Sequence, residues 1–229
     1  MPRQGIEGAE ERFPLAGLLE PRARTRVSTH PRAARENAMA RGKTPFYTAT
    51  GDQGWTGLLG EVRVPKDHPQ IEALGALDEA SAVLGLARNT ASHPDIPAIL
   101  ARVQQDLYHL MAEVAATPEQ AATFRRIDLE SVAWLEEQIH RYAPDLPRLT
   151  GFILPGETLS SGFLALARTV VRRAERRVFT LMRLGLFRNP EGARYLNRLS
   201  SLCFVLELLE LQAAGKMPTS VGASRDDQA

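Results

Sequence analysis

Cysteine is nearly missing from this sequence: Cys203 is the only one. One thiol cannot close a disulfide within the chain or build a thiolate zinc cluster, and such scarcity fits a reducing, cytoplasmic setting. Aromatic residues make up only 6% of the 229 positions. With alanine and leucine abundant, that favours helices over strands. No apolar run reaches the roughly 18 residues of a membrane span. An excess of one charge is missing too: the formal net charge is +1, so neither nucleic acid nor a membrane is expected as partner. What is present is a hydrophobic fraction of 44%, enough for one sizeable core in a chain of single-domain length. The histidines, His30, His68, His93, His109 and His140, share no ligand spacing, and no metal site is assigned to them.

The chain reads as three stretches. Residues 1–43 scatter arginine and proline without lasting apolar periodicity and are expected to be disordered. Their arginines suggest a transit peptide, but Glu7, Glu10, Glu11, Glu20 and Glu36 argue against one; translation starting at Met39 is the plainer expectation. Residues 44–215 form the folded domain. It opens with a Gly- and Thr-rich ordered loop to about Asp67 and continues as five helices over 69–90, 95–116, 128–142, 158–187 and 191–214. Apolar residues recur there at spacings of three and four, as in Ile96, Ile99, Leu100, Val103, Leu107 and Leu110. Pro97 falls in a first turn, Asp128 suits an N-cap, and Gly215 with Pro218 stops the last helix. Residues 216–229 are expected to form a flexible tail. The fold class is therefore all-α, a five-helix bundle preceded by an ordered loop.

Several short segments carry chemistry. In Thr48-Ala49-Thr50-Gly51-Asp52-Gln53-Gly54-Trp55-Thr56-Gly57, glycines let backbone N–H groups approach an anion and threonine hydroxyls add donors. The loop suits a polyphosphate, although the same composition also makes an ordinary turn. It is no P-loop: before Gly42-Lys43-Thr44 the required first glycine is Asn37, and Pro45 follows. Lys66, in Arg63-Val64-Pro65-Lys66-Asp67, is a natural phosphate partner or simply a charged turn residue. Asp78 sits beside Leu77 on the first helix and points either inward, needing a cation, or to solvent.

The strongest signal is Arg168, Arg172, Arg173, Glu175, Arg176 and Arg177 on one helix. At about 100° per residue, Arg168, Arg172 and Glu175 fall within about 60° of one another. Five guanidinium groups in ten residues repel. A triphosphate, carboxylates of a neighbouring helix such as Asp78, or a nucleic-acid backbone would compensate; a basic surface stripe is the bland alternative. Asn197 and Arg198 interrupt the apolar last helix, where an amide either bonds a neighbouring side chain or meets a ligand. Cys203, between Leu202 and Phe204, reads as core filler.

In this order and spacing, YTATGDQGWT, RVPKD, GALDE, FILPG, ARTVVRRAER and YLNRLS resemble the PduO-type cobalamin adenosyltransferases, from about Pro45 to Leu211. The resemblance implies a homotrimer with active sites between subunits and two small-molecule substrates, ATP and cob(I)alamin. It implies ATP binding by Thr48, Thr50, Gly51, Asp52, Thr56, Gly57, Lys66, Arg172, Arg173, Glu175, Arg176 and Asn197, with Mg²⁺ on the phosphates, near Asn197. Lys66, Arg172 and Arg173 would act on the leaving charge. Asp78 and Arg168 would form an intersubunit salt bridge shaping the corrinoid pocket, and Phe152 would lie against the lower corrin face. A reductase or a B12-dependent enzyme would be a protein partner.

Two positions depart from the family's pattern. Ser201 stands where NRLSD has its aspartate, and Gly156-Glu157-Thr158 replaces a Gly-Gly pair. A non-catalytic paralogue that binds ATP or adenosylcobalamin for delivery or sensing is therefore the alternative to the enzyme.

Overall fold

The computed structural model describes residues 47–149 and 151–221. The chain divides into two units, 1–48 and 49–229, and the helices described below lie in the second. The expectations for residues 1–43 and for Met39 lie outside the described residues.

The second unit opens with a two-stranded antiparallel ribbon, β1 (Trp55–Gly57) and β2 (Arg63–Pro65), with Thr56 opposite Val64. Helices follow: α1 (Pro69–Thr90), α2 (Ile96–Ala115), the short α3 (Ala121–Phe124), α4 (Leu129–Tyr142), α5 (Leu159–Arg183) and α6 (Pro190–Ala213). The five long helices match the five expected from periodicity; α3 is an addition too short to show a period. Among the described residues, no helix is long and apolar enough to cross a membrane.

The ends of the helices are set by local chemistry. Asp128 caps α4, accepting from Ser131 N at 2.9 Å, and Thr158 caps α5 in the same way from Ser161 N at 3.1 Å. The α5 helix ends at Arg183, four residues earlier than expected, because Gly185 takes φ 72°. That left-handed residue lets Leu186 N reach back to Leu181 O at 2.9 Å and closes the turn. Gly215, at φ 65°, ends α6 alike, with Lys216 N bonded to Leu211 O at 2.9 Å.

The core runs through all five long helices: Leu77, Leu84, Leu100, Leu107, Leu135, Leu164, Leu181, Leu199 and Leu206 are fully buried. Helices α1 and α5 both bury alanines, Ala73, Ala76 and Ala80 on one and Ala167 and Ala174 on the other. Small side chains let two packed helices approach closely. Cys203 is fully buried core filler, its thiol pushed up to about 12 by burial.

Polar residues inside the bundle tie its ends together. Glu113, buried on α2, accepts from Arg125 Nε at 3.0 Å and from Asn189 Nδ2 at 2.9 Å, joining α2 to the start of α6. Glu210 of α6, 1% exposed, accepts from the backbone N–H groups of Ser92 and His93 and fixes the α1–α2 turn. Gln70 donates to the carbonyls of Val114 and Ala116, each at 2.9 Å. It thereby fixes the start of α1 against the end of α2.

Candidate functional site

The Gly/Thr loop is folded by its own backbone and by one arginine. Gly54 N donates to Gly51 O, and Lys66 N donates to Gly54 O at 2.8 Å. Arg63 Nη2 donates to the carbonyls of Thr50 and Trp55, at 2.8 and 3.0 Å. Turning these carbonyls toward Arg63 takes them out of competition for the loop's other face. The Lys66 side chain lies over Gly51: a Cβ there would stand 3.2 Å from Lys66 Cε and Nζ, so the bare glycine is what admits the ammonium. Asp52 and Gly57 are exposed, and Thr56 is half-buried within the ribbon. Thr48 belongs to the other unit.

The loop is anchored at Gly60 and Leu59. Leu59 N donates to Ala115 O at 2.8 Å, and Thr117 N donates to Leu59 O at 3.0 Å. Gly60 has φ 122°, and a Cβ on it would meet Thr117 Cγ2 at 2.8 Å. Both conformation and space demand glycine here.

A groove of about 530 Å³ runs between Lys66, Ile71, Glu72, Gly75, Ala76 and Glu79 on one side and Arg173 of α5 on the other. Arg173 also lines a second groove, about 640 Å³, with Arg176, Arg177, Phe179, Thr180 and Arg183. The two grooves share Arg173, so the Lys66 loop and the arginine strip open onto adjoining grooves.

The strip is partly neutralised from α1. Arg173 pairs with Glu79, and Arg177 pairs with Glu72 at 3.0 Å. These carboxylates, not Asp78, compensate the strip within the chain: Asp78 is exposed on α1 and makes no ion pair among the described residues. The spacing explains it, since Glu72 and Glu79 are seven apart on one face and Arg173 and Arg177 are four apart on the opposing one. Arg172 is exposed, and among the described residues its guanidinium meets no carboxylate. Arg176 Nη1 donates to Arg172 O at 3.1 Å.

Glu175, Asn197, Arg198 and Glu136 form a chain of contacts across α5, α6 and α4. Asn197 Nδ2 donates to Glu175 Oε1 at 3.0 Å, and Arg198 Nη1 donates to Asn197 Oδ1 at 2.8 Å. Arg198 Nε reaches Glu136 at 2.7 Å. The amide that interrupts α6 therefore bonds neighbouring side chains. Ser201, the departure from the family pattern, is exposed one turn further on.

Phe152 is 88% exposed, in the segment leading into α5. The residues after α6, expected to fray, are held against that segment as far as Val221. Val221 N donates to Phe152 O at 2.9 Å, Leu154 N donates to Thr219 O at 2.8 Å, and Ile153 and Ser220 form an antiparallel bridge. Lys216 Nζ donates to Glu157 O. Phe152, Leu154, Leu159, Met217 and Val221, all exposed, gather at this end of the molecule. Five exposed apolar side chains around one short ribbon are the surface an apolar ligand would cover. Sequence periodicity misses this pairing because single residues of a tail carry no period.

Arg168 lies half-buried on α5, its Cζ 5.9 Å from the Phe204 ring centroid. Among the described residues it makes no salt bridge with Asp78, which is exposed on α1. Among the described residues no group of three or more His, Cys, Asp or Glu is placed to hold a metal ion. Near Asn197 the one carboxylate in contact is Glu175, so a magnesium ion there would draw most of its oxygen ligands from phosphate and water, as Mg²⁺ commonly does. Arg63, Glu72 and Glu79 are the site residues that motif reading left without a role.

The cobalamin adenosyltransferase family model matches residues 46–210. The corrinoid adenosyltransferase of Bacillus subtilis is 39% identical over 163 residues, spanning 69% of this chain and 82% of that protein. The corrinoid adenosyltransferase PduO of Citrobacter freundii is 41% identical over 166 residues, 72% of this chain; the chain spans 49% of that longer protein. Among solved structures, a variant of the PduO-type ATP:corrinoid adenosyltransferase from Lactobacillus reuteri, complexed with cobalamin and ATP, superposes with a TM-score of 0.72 at 28% identity. That match covers 77% of this chain and 98% of the other. With the loop, the arginine strip and nearly all of the bundle falling inside the matched span, the chain belongs to the cobalamin adenosyltransferase family.

Proposed function

We propose that this protein transfers the 5′-deoxyadenosyl group of ATP to the cobalt of cob(I)alamin, forming adenosylcobalamin and releasing triphosphate. The observation that carries the proposal is the pair of grooves, joined at Arg173, that brings Lys66 of the loop to the Arg173 and Arg176 strip, in a chain of this family. Cobalt in cob(I)alamin supplies the electron pair, the Co–C5′ bond forms, the C5′–O bond breaks, and the pair departs on the triphosphate. No protein base is needed. The protein's tasks are to hold the two substrates in line and to stabilise the leaving charge.

Lys66, Arg172 and Arg173 take the second task, with Thr50, Gly51, Asp52, Thr56, Gly57, Glu175, Arg176 and Asn197 completing the nucleotide site. Arg63 supports them by fixing the carbonyls of Thr50 and Trp55. Magnesium would screen phosphate charge, with Glu175 the carboxylate facing it. Phe152 takes the lower corrin face, and Asp78 of one subunit meets Arg168 of another in a cytoplasmic homotrimer. A reductase would supply the electron for Co(II) to Co(I).

The test is anaerobic: purified protein, ATP, Mg²⁺ and chemically reduced cob(I)alamin, followed by the visible spectrum of adenosylcobalamin. Formation above a no-protein control is expected. ATP binding without product would overturn the catalytic reading and leave a carrier or sensor.

A further inference from the structure

The apolar face of α6 carries one acid that no motif explains. Glu207 is 2% exposed and lies three and four residues after Phe204 and Cys203, on the same face of the helix. Among the described residues its carboxylate forms no hydrogen bond and no ion pair. Facing it from α5 is Arg168, whose Nε–H is buried without an acceptor and whose guanidinium stands over the Phe204 ring at 5.9 Å. A buried donor without an acceptor is costly, and a carboxylate on a residue this little exposed gains from a cation beside it. Phe204 stands one turn before Glu207 on α6, so Arg168 lies near that turn, and its opposite charge acts on the Glu207 carboxylate.

We infer that Glu207 is a positioning residue for Arg168: it takes the Nε edge of the guanidinium and turns the two terminal nitrogens outward, toward the carboxylate of a second subunit. The planar fork of arginine permits this division. Its Nε edge and its Nη edge can serve two carboxylates at once, which a lysine cannot do. Glu207 then sets the direction in which Arg168 presents itself to Asp78 of another copy and so fixes the wall of the corrinoid site; this step rests on the function proposed above. The charged and titratable groups that bear on Glu207 are Arg168 from α5, which favours its ionised form, and Cys203 from its own helix. Burial outweighs Arg168 and raises the carboxyl to about 7, so the clamp closes as pH rises through neutrality.

The decisive measurement follows the Arg168 Nε–H resonance by ¹⁵N-edited NMR in the full chain, assigned by its loss in Arg168→Lys. In the wild type it should titrate with a midpoint near 7. In Glu207→Gln the titration should vanish, and in Glu207→Asp, which keeps the charge, it should persist. In turnover at pH 8, Glu207→Gln should raise the KM for cob(I)alamin about 3–10-fold and move the KM for ATP less than about twofold, the loss of one hydrogen-bonded charge contact. A resonance that ignores pH, or one that titrates identically in Glu207→Gln, overturns the inference, as do equal changes in both KM values. Should the Gln variant not fold, the wild-type and Asp titrations decide. If the wild type made no adenosylcobalamin, the proposed activity would fall while the NMR titration still judged the pairing.

Discussion

Arg173 on α5 is ion-paired with Glu79 on α1, while Arg172, its neighbour in sequence, meets no carboxylate among the described residues. The pair holds two helices together at the surface; the neighbour has no such pair among the described residues. Arg172→Ala should therefore lower kcat by about 10²–10³-fold, the usual loss on removing one charge-stabilising donor, with an unchanged melting temperature. Arg173→Ala should lower turnover and also destabilise the bundle by about 0.2–1 kcal/mol, as exposed pairs do. Steady-state kinetics with thermal unfolding on both variants checks this; unchanged turnover in Arg172→Ala would refute the role.

Phe152 is exposed and packs against nothing that needs it for folding. Phe152→Ala should leave stability unaltered. It should reduce product formation from Co(II) plus reductant far more than from pre-reduced Co(I), because removing the lower axial ligand matters for the reduction and not for the attack. Equal losses in the two assays would speak against that role.

The ribbon between Phe152–Leu154 and Thr219–Val221 contributes little to the core but fixes the Phe152 backbone. Truncation after Lys216 should keep the helical circular dichroism and the affinity for ATP, and raise the KM for corrinoid. A truncated chain with wild-type corrinoid kinetics would show that the ribbon has no part in the site.

Gly60 combines φ 122° with a 2.8 Å approach of Thr117 Cγ2 to where a Cβ would stand. Gly60→Ala should destabilise by about 1–3 kcal/mol, the cost of a side chain in a sparsely allowed conformation, and should loosen the Lys66 loop enough to weaken ATP binding. Denaturant unfolding and nucleotide titration measure the two effects.

Glu207 makes stability depend on pH with a definite sign. Burial raises its carboxyl from the ordinary 4.5 to about 7, so between those values the folded chain binds more protons than the unfolded one. Its contribution is therefore fully present below pH 4.5 and is lost as pH rises through 7. Between pH 4 and pH 8, Glu207→Gln should gain about 1–3 kcal/mol relative to the wild type. Unfolding curves for both proteins at the two pH values should show that difference; parallel pH dependences would exclude Glu207 as its source.

What the sequence determined by itself is what short-range chemistry encodes. Apolar spacing places all five long helices, and cap residues such as Asp128 and Gly215 place several of their ends, because a 3.6-residue period and a left-handed glycine act within one or two turns. Family motifs point to the loop and to the arginine strip. Tertiary structure alone decided which groups meet. Glu72 and Glu79, not Asp78, neutralise the strip, since that depends on how α1 is rotated against α5. The tail lies along Phe152 because two extended pieces distant in sequence satisfy each other's backbone groups. Arg168 comes near Phe204, one turn from Glu207, only because α5 and α6 pack side by side; nothing in the local pattern of either helix records the other's charge.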